Sequence, residues 1–208
     1  MHDSEPRRSP SAIELLLDPE TESAVRVEWQ ALADLGVSSL AAHTAASNRP
    51  HITLVARVGL APVAPEVFAA MTGFPITLGA PLLFGTGERR VLARSVVPTD
   101  RLLALREAIL SAVGPGEDAP HTAPGEWMPH VALARRIRAA DLPAALERLG
   151  ADIHGRAGVV RHWDADAGVV RMVVGPGGEQ EKARRALSRP VGCAEPAPPP
   201  RCRTRTGS

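Results

Sequence analysis

Hydrophobic residues in this chain recur at two periods, and the switches between them divide it into elements. Ala12 to Leu17 is a short apolar run, broken only by Glu14, that predicts a buried strand. Asp18 and Pro19 then supply an N-cap and a first helical residue, and Val25, Trp29, Leu32 and Leu35 keep the spacing of one helix face as far as Gly36. From His51 to Val58 the pattern alternates, as in a strand with one packed face. A short helix over 65–71 is predicted next, followed by three strand-like runs, "FPITLG", "PLLFG" and "RRVLARSVV", separated by Gly-containing turns. Pro98, Thr99 and Asp100 open a second long helix, with Leu102, Leu105, Ile109 and Val113 at helical spacing and Gly114-Pro115-Gly116 at its end. Beyond a polar, Pro-rich loop over 114–126, a strand pattern returns at 129–137. "AADLPAALERLG" predicts a helix, "GVVRHWDADAGVVRMVV" a hairpin turned at Asp164 to Gly168, and Glu179 to Leu187 a last short helix.

Strands mixed with helices and with tight hairpins favour an α+β fold over a doubly wound parallel sheet. Residues 1–10 are polar and proline-bearing, and the stretch over 188–208 is a low-complexity Pro/Arg-rich tail, so the expected folded unit is 11–187 with flexible ends. The 208 residues are 44% hydrophobic and 23% charged, ordinary for a soluble globular protein. A formal charge of +1 supplies no global field for a polyanion, so any nucleic-acid contact must be local. Lys182 is the only lysine, which dilutes the meaning of any single arginine. Cys193 and Cys202 both lie in the tail and read as free thiols. The run Ala12 to Leu17 is too short for a signal segment or membrane span, so the expected compartment is the cytoplasm and no membrane partner is expected.

Candidate chemistry enters through a repeat. "RPHITLVAR", Arg49 to Arg57, and "MPHVALARR", Met128 to Arg136, share Pro50/Pro129, His51/His130, Leu54/Leu133 and Arg57/Arg136. Strand alternation predicts His51, Thr53, Val55 and Arg57 on one face, and His130, Ala132, Ala134 and Arg136 on one face of the second copy. If two lobes are related by a pseudo-two-fold, the two histidine faces look at each other across a cleft. Two imidazoles suit a reaction in which one proton is removed while another is delivered, and phosphodiester cleavage is such a reaction.

With these residues in view, the chain resembles the 2H phosphoesterases, the superfamily of 2′-5′ RNA ligases and RNA 2′,3′-cyclic phosphodiesterases, marked by two His-x-Thr/Ser motifs. "RPHITL" matches the motif fully. In "HVAL", Ala132 stands where the family has Thr or Ser. The resemblance implies two pseudo-symmetric lobes of mostly antiparallel sheet flanked by helices, with the cleft between them. It implies His51 and His130 as the acid/base pair, Thr53 as a phosphate ligand, a motif position at Ala132 that has lost its hydroxyl, and no metal or other cofactor. The substrate class it implies is a 2′,3′-cyclic phosphate, a 2′-5′ linked RNA 3′ end or a small cyclic nucleotide, cleaved by a phosphodiesterase or joined by a reversible ligase. The alternative is a degenerate nucleotide- or RNA-end-binding module with little turnover. A monomer is the favoured state.

Each residue also has a plainer reading. Arg57 and Arg136 are either phosphate contacts or solvated strand-end charges. Trp127 and Trp163 are either stacking platforms for a base or packing residues. His43, His121, His154 and His162 have no paired metal-ligand spacing and read as surface or loop residues. "GPGGE", Gly175 to Glu179, lacks the Gly-Lys-Ser/Thr ending of a phosphate loop and reads as a turn.

Overall fold

The computed structural model describes residues 9–64, 67 and 73–173. The helix expected over 65–71, most of the N-terminal arm, the Gly175–Glu179 turn, the helix expected at Glu179 to Leu187, and the tail with Cys193 and Cys202 lie outside the described residues.

The chain runs β1 (Ser11–Leu17), α1 (Pro19–Asp34), β2 (His51–Arg57), β3 (Pro75–Phe84), β4 (Arg89–Val96), α2 (Asp100–Val113), β5 (His130–Arg138), α3 (Leu142–Leu146), β6 (Ile153–Asp164) and β7 (Val169–Val173). It is an α+β fold. All strand pairs are antiparallel, in the order β1-β2-β5-β4-β3-β6-β7, and β1 also pairs with β6, so the ladder returns on itself. The ladder is uneven: β2 and β5 meet through the single pair Ile52↔Val131. On one side of that weak seam lies β2-β1-β6-β7 and on the other β5-β4-β3, joined at their far edge where β3 pairs with β6, and each group carries one histidine motif on its seam strand.

Local chemistry explains the helices. The Asp18 carboxylate accepts the backbone N–H groups of Glu20 and Thr21, and Pro19 fits the first turn because its missing donor would have no partner there. Burial raises the Asp18 pKa, but the hydrogen bonds from Thr21, Arg156 and Glu20 outweigh it and hold the carboxyl down at about 2. Val25, Trp29 and Leu32 form the buried stripe of α1, with Leu35 capping the helix half-buried. Thr99 caps α2, which buries Leu102, Leu105 and Ile109. Gly155 on β6 lets α1 come close: a Cβ there would lie 1.7 Å from the Thr21 hydroxyl. α1 is tied to the second group by an ion pair in which Arg94, 2% exposed, binds Glu28 and donates to the carbonyls of Gly79 and Gly150.

Three expectations are corrected. "FPITLG" and "PLLFG" are one strand, β3, because Gly79 and Ala80 form an irregularity opposite Ser95 instead of a turn. The helix after β5 shortens to a 3-10 turn, Ala139–Asp141, followed by the five residues of α3. His162 is a core-facing residue of β6 and only 2% exposed.

Candidate active site

The Pro-His pair has a local logic that the structure repeats. Proline disfavours helical backbone in the residue before it, and neither Arg49 nor Met128 is helical. Their carbonyls then turn back to the imidazoles: His51 Nδ1 lies 2.7 Å from Arg49 O, and His130 Nδ1 lies 2.6 Å from Met128 O. A carbonyl only accepts, so Nδ1 carries the proton in both rings. Each Nε2 is left for a partner other than the tether.

A second repeated feature lies further along both strands. Opposite β1, Thr53 pairs with Glu14 and Val55 with Ile13, so Leu54 is an extra residue. Opposite β4, Ala132 pairs with Ala93 and Ala134 with Leu92, so Leu133 is the matching extra residue. A bulge of one residue reverses the inside-outside alternation beyond it. His51, Thr53 and Ala56 therefore share the cleft face, while Val55 turns into the core and Arg57 follows it.

The bulges correct the arginine assignments. Arg57 is buried, donates from Nε to Asp118 at 2.7 Å and to Gly114 O at 3.0 Å, and lies away from the histidines. Arg136 is exposed and touches neither cavity wall, whereas Arg135 lines the cleft with both histidines. No hydrogen bond or ion pair holds the Arg135 side chain among the described residues. Sequence reasoning missed Arg135 because it counted the strand as unbroken.

Tryptophans hold the splayed strands. Trp29 of α1 donates its indole N–H to Ala132 O at 3.0 Å, and Trp127 donates to Thr53 O at 2.9 Å. The seam strands part at these residues, and the indoles satisfy carbonyls that a longer ladder would use. Trp127 is thus a clamp: its ring carries the Arg106 guanidinium at 4.7 Å and is not a platform for a base. Trp163 does reach the cleft, on the wall formed by β1 and β6.

His51, Thr53, Val91, His130, Ala132 and Arg135 enclose a cavity of about 320 Å³. A larger one of about 610 Å³ shares His51, Thr53 and Arg135 and extends over β1 and β6. The two histidines face different surroundings. His51 Nε2 lies 3.3 Å from Glu14 Oε1, and Glu14, 7% exposed, accepts Arg161 Nε at 2.6 Å with its other oxygen. Arg161 also donates to Ser47 O at 2.9 Å. Glu14 was visible in the sequence as the one charged residue in a buried run, a position that demands a partner. His130 instead packs on Phe84, ring centroids 4.5 Å apart, and His121 packs on the same ring at 4.7 Å. Desolvation lowers the His130 pKa; the Met128 carbonyl opposes this, and the charges of His121 and His51 reinforce it. Among the described residues no group of three or more His, Cys, Asp or Glu side chains is placed to hold a metal ion.

The family model described as the 2′-5′ RNA ligase superfamily matches residues 19–167, which span both motif strands. The chain belongs to the 2′-5′ RNA ligase superfamily. No curated protein sequence matches this superfamily member significantly. Among solved structures, Kluyveromyces marxianus Usb1 matches it with a TM-score of 0.47 at 11% identity, covering 80% of this chain and 98% of that one. The same yeast protein with uridine monophosphate matches with a TM-score of 0.44 at 11% identity and the same coverage.

Proposed function

We propose that this member of a family of phosphoester-cleaving and -joining enzymes is a phosphodiesterase acting on a 2′,3′-cyclic phosphate, a 2′-5′ linked RNA end or a small cyclic nucleotide. The observation that carries the proposal is that both histidines, held by identical Nδ1 tethers, line one cavity together with Thr53 and Arg135. A water attacks phosphorus and gives its proton to neutral His130. The bond from phosphorus to the departing ribose oxygen breaks, and that oxygen takes the Nε2 proton of His51. In the reverse direction the same two transfers form the ester. As written, the two imidazoles carry every proton, so the reaction calls on no metal.

The electrostatics support this division of labour. A base must be neutral when substrate arrives, and the apolar wall of Phe84 favours neutral His130. An acid must be charged, and with Nδ1–H committed to Arg49, a proton on His51 Nε2 is the one that faces Glu14. Thr53 donates its hydroxyl to a non-bridging oxygen, and Arg135 supplies charge on the side where Ala132 has none to offer.

A second reading is favoured by Ala132 itself: without the second hydroxyl, the cleft holds a nucleotide but turns it over poorly. Purified protein assayed on 2′,3′-cyclic mononucleotides and short 2′-5′ linked RNAs, with chelator present, separates the two. We expect turnover, and a loss of roughly 10²–10⁴-fold in His51→Ala and in His130→Ala with the fold retained. The double variant should lose little more than either single one. Binding without turnover, or a single variant as active as the parent, defeats the two-histidine mechanism.

A further inference from the structure

The cleft is lopsided. On the His130 side it ends at Phe84 and Val91, whereas on the His51 side it opens into the larger cavity over β1 and β6. Cross-strand register sets what that cavity presents. Thr53, Glu14 and Arg161 form one row across β2, β1 and β6, and Ala56, Ala12 and Trp163 form the next. Two alanines beside Trp163 make the indole the one large side chain of that row.

The three tryptophans of the chain divide by what their N–H groups do. Those of Trp29 and Trp127 are spent on Ala132 and Thr53 carbonyls. That of Trp163 has no partner among the described residues, and its ring is half-buried in the cavity wall. The same cavity is lined by the loop over 40–48, pinned by Asn48 Nδ2 donating to the carbonyls of Leu40 and His43 at 2.8 and 2.7 Å. His43 and Ser47 of that loop line the same cavity, and neither side chain is held by a hydrogen bond among the described residues.

We propose that this cavity is a nucleoside subsite, in which the base of the substrate stacks on Trp163 while its phosphate lies between His51 and His130. A flat π-surface with a free donor at its rim, continuous with a phosphate site, fits a nucleobase better than an aliphatic or peptide group. The loop donors and acceptors read the base edge. The subsite also gives the reaction a direction: the nucleoside lies on the His51 side, so the ribose oxygen that departs is the one His51 protonates. Water enters from the His130 side. Trp163 is then a specificity residue for nucleotides over other phosphodiesters. The inference rests on the phosphate site proposed above.

The experiment measures binding by calorimetry for a nucleoside 3′-monophosphate and for ribose 5-phosphate, which lacks the base, in the parent, Trp163→Ala and Trp163→Phe. Intrinsic fluorescence follows the same titrations. In the parent, the nucleotide should bind at least about tenfold tighter than the sugar phosphate and quench emission, consistent with the size of base–aromatic stacking. Trp163→Ala should lose roughly that factor for the nucleotide alone, and Trp163→Phe should restore most of it. Equal affinities in the parent, equal weakening of both ligands in Trp163→Ala, or no binding of either ligand overturns the subsite. The two readings fail separately. Base-dependent binding without turnover keeps the subsite and removes the hydrolase, whereas turnover with an unchanged KM in Trp163→Ala does the reverse.

Discussion

At the residue scale, the two histidines share a tether and differ in their neighbours, and the roles proposed for them rest on that difference. In the proposed mechanism His130 must be neutral to accept a proton, and burial against Phe84 moves its pKa below the ordinary 6.5. Catalytic efficiency should therefore hold as pH falls to 6.5 and decline only below it, on an acid limb that reports His130. Phe84→Ser admits water to that ring and should move the limb up toward 6.5, while Phe84→Leu should leave it nearly in place. Profiles of kcat/KM against pH for the three proteins make the check, and an acid limb that ignores Phe84→Ser removes His130 as the base. The meeting of His51 and His130 at one cavity was legible because a short motif repeats them, and Thr53 followed from its place two residues after His51. The electrostatic difference between the two histidines was not, since Glu14 and Phe84 lie on β1 and β3 and reach the motifs only through strand pairing.

At the element scale, the helices and most strands were readable because their signals are local. Asp18-Pro19 and Thr99-Asp100 announce α1 and α2, and alternation announces β2. The paired bulges were not readable. Leu54 and Val55, like Leu133 and Ala134, are both apolar, so the extra residue leaves no trace in a hydrophobic pattern. What it changes is which arginine lines the cleft. Arg135→Ala should lower kcat/KM by roughly 10- to 100-fold, the equivalent of one charge-assisted hydrogen bond of about 1.5–3 kcal/mol. Arg136→Ala should have little effect, and Arg57→Ala should act on stability, because it strands the buried Asp118 carboxylate. Steady-state kinetics and thermal melts of the three variants test the register together. If Arg136→Ala is the damaging change and Arg135→Ala is silent, β5 meets the cleft in the unbulged register.

At the scale of the whole molecule, β6 joins the cleft to the core, and His162 stands at that junction. Arg161 and Trp163 point to the cleft, so strand alternation sends His162 the other way, between Ile13 of β1 and Arg171 of β7 in the ladder. It is 2% exposed, and neither ring nitrogen makes a well-formed hydrogen bond; the Leu60 backbone offers only a marginal one. Burial lowers its pKa. Asp164 and Glu14 pull the other way, and Arg171 adds to the depression. The sign of the linkage follows: an unfolded chain takes up this proton near pH 6.5, while the folded one resists it to lower pH. The neutral ring is therefore fully tolerated above 6.5, and stability falls as pH drops below it. The slope for this one group cannot exceed about 1.36 kcal/mol per pH unit and ends once the folded form also protonates. His162→Leu fills the same apolar space without a proton site. We expect its unfolding free energy in urea to gain on the parent progressively from pH 7.5 to 5.5, with unchanged kcat/KM at pH 7.5, because the ring lies on the far face of β6 from the histidine pair. A parallel pH dependence in the two proteins would mean that the His162 ring is solvated or bonded in the fold. The acid sensitivity would then belong to His130, whose pKa is also depressed, and His130→Leu in the same titration would flatten the curve in its place.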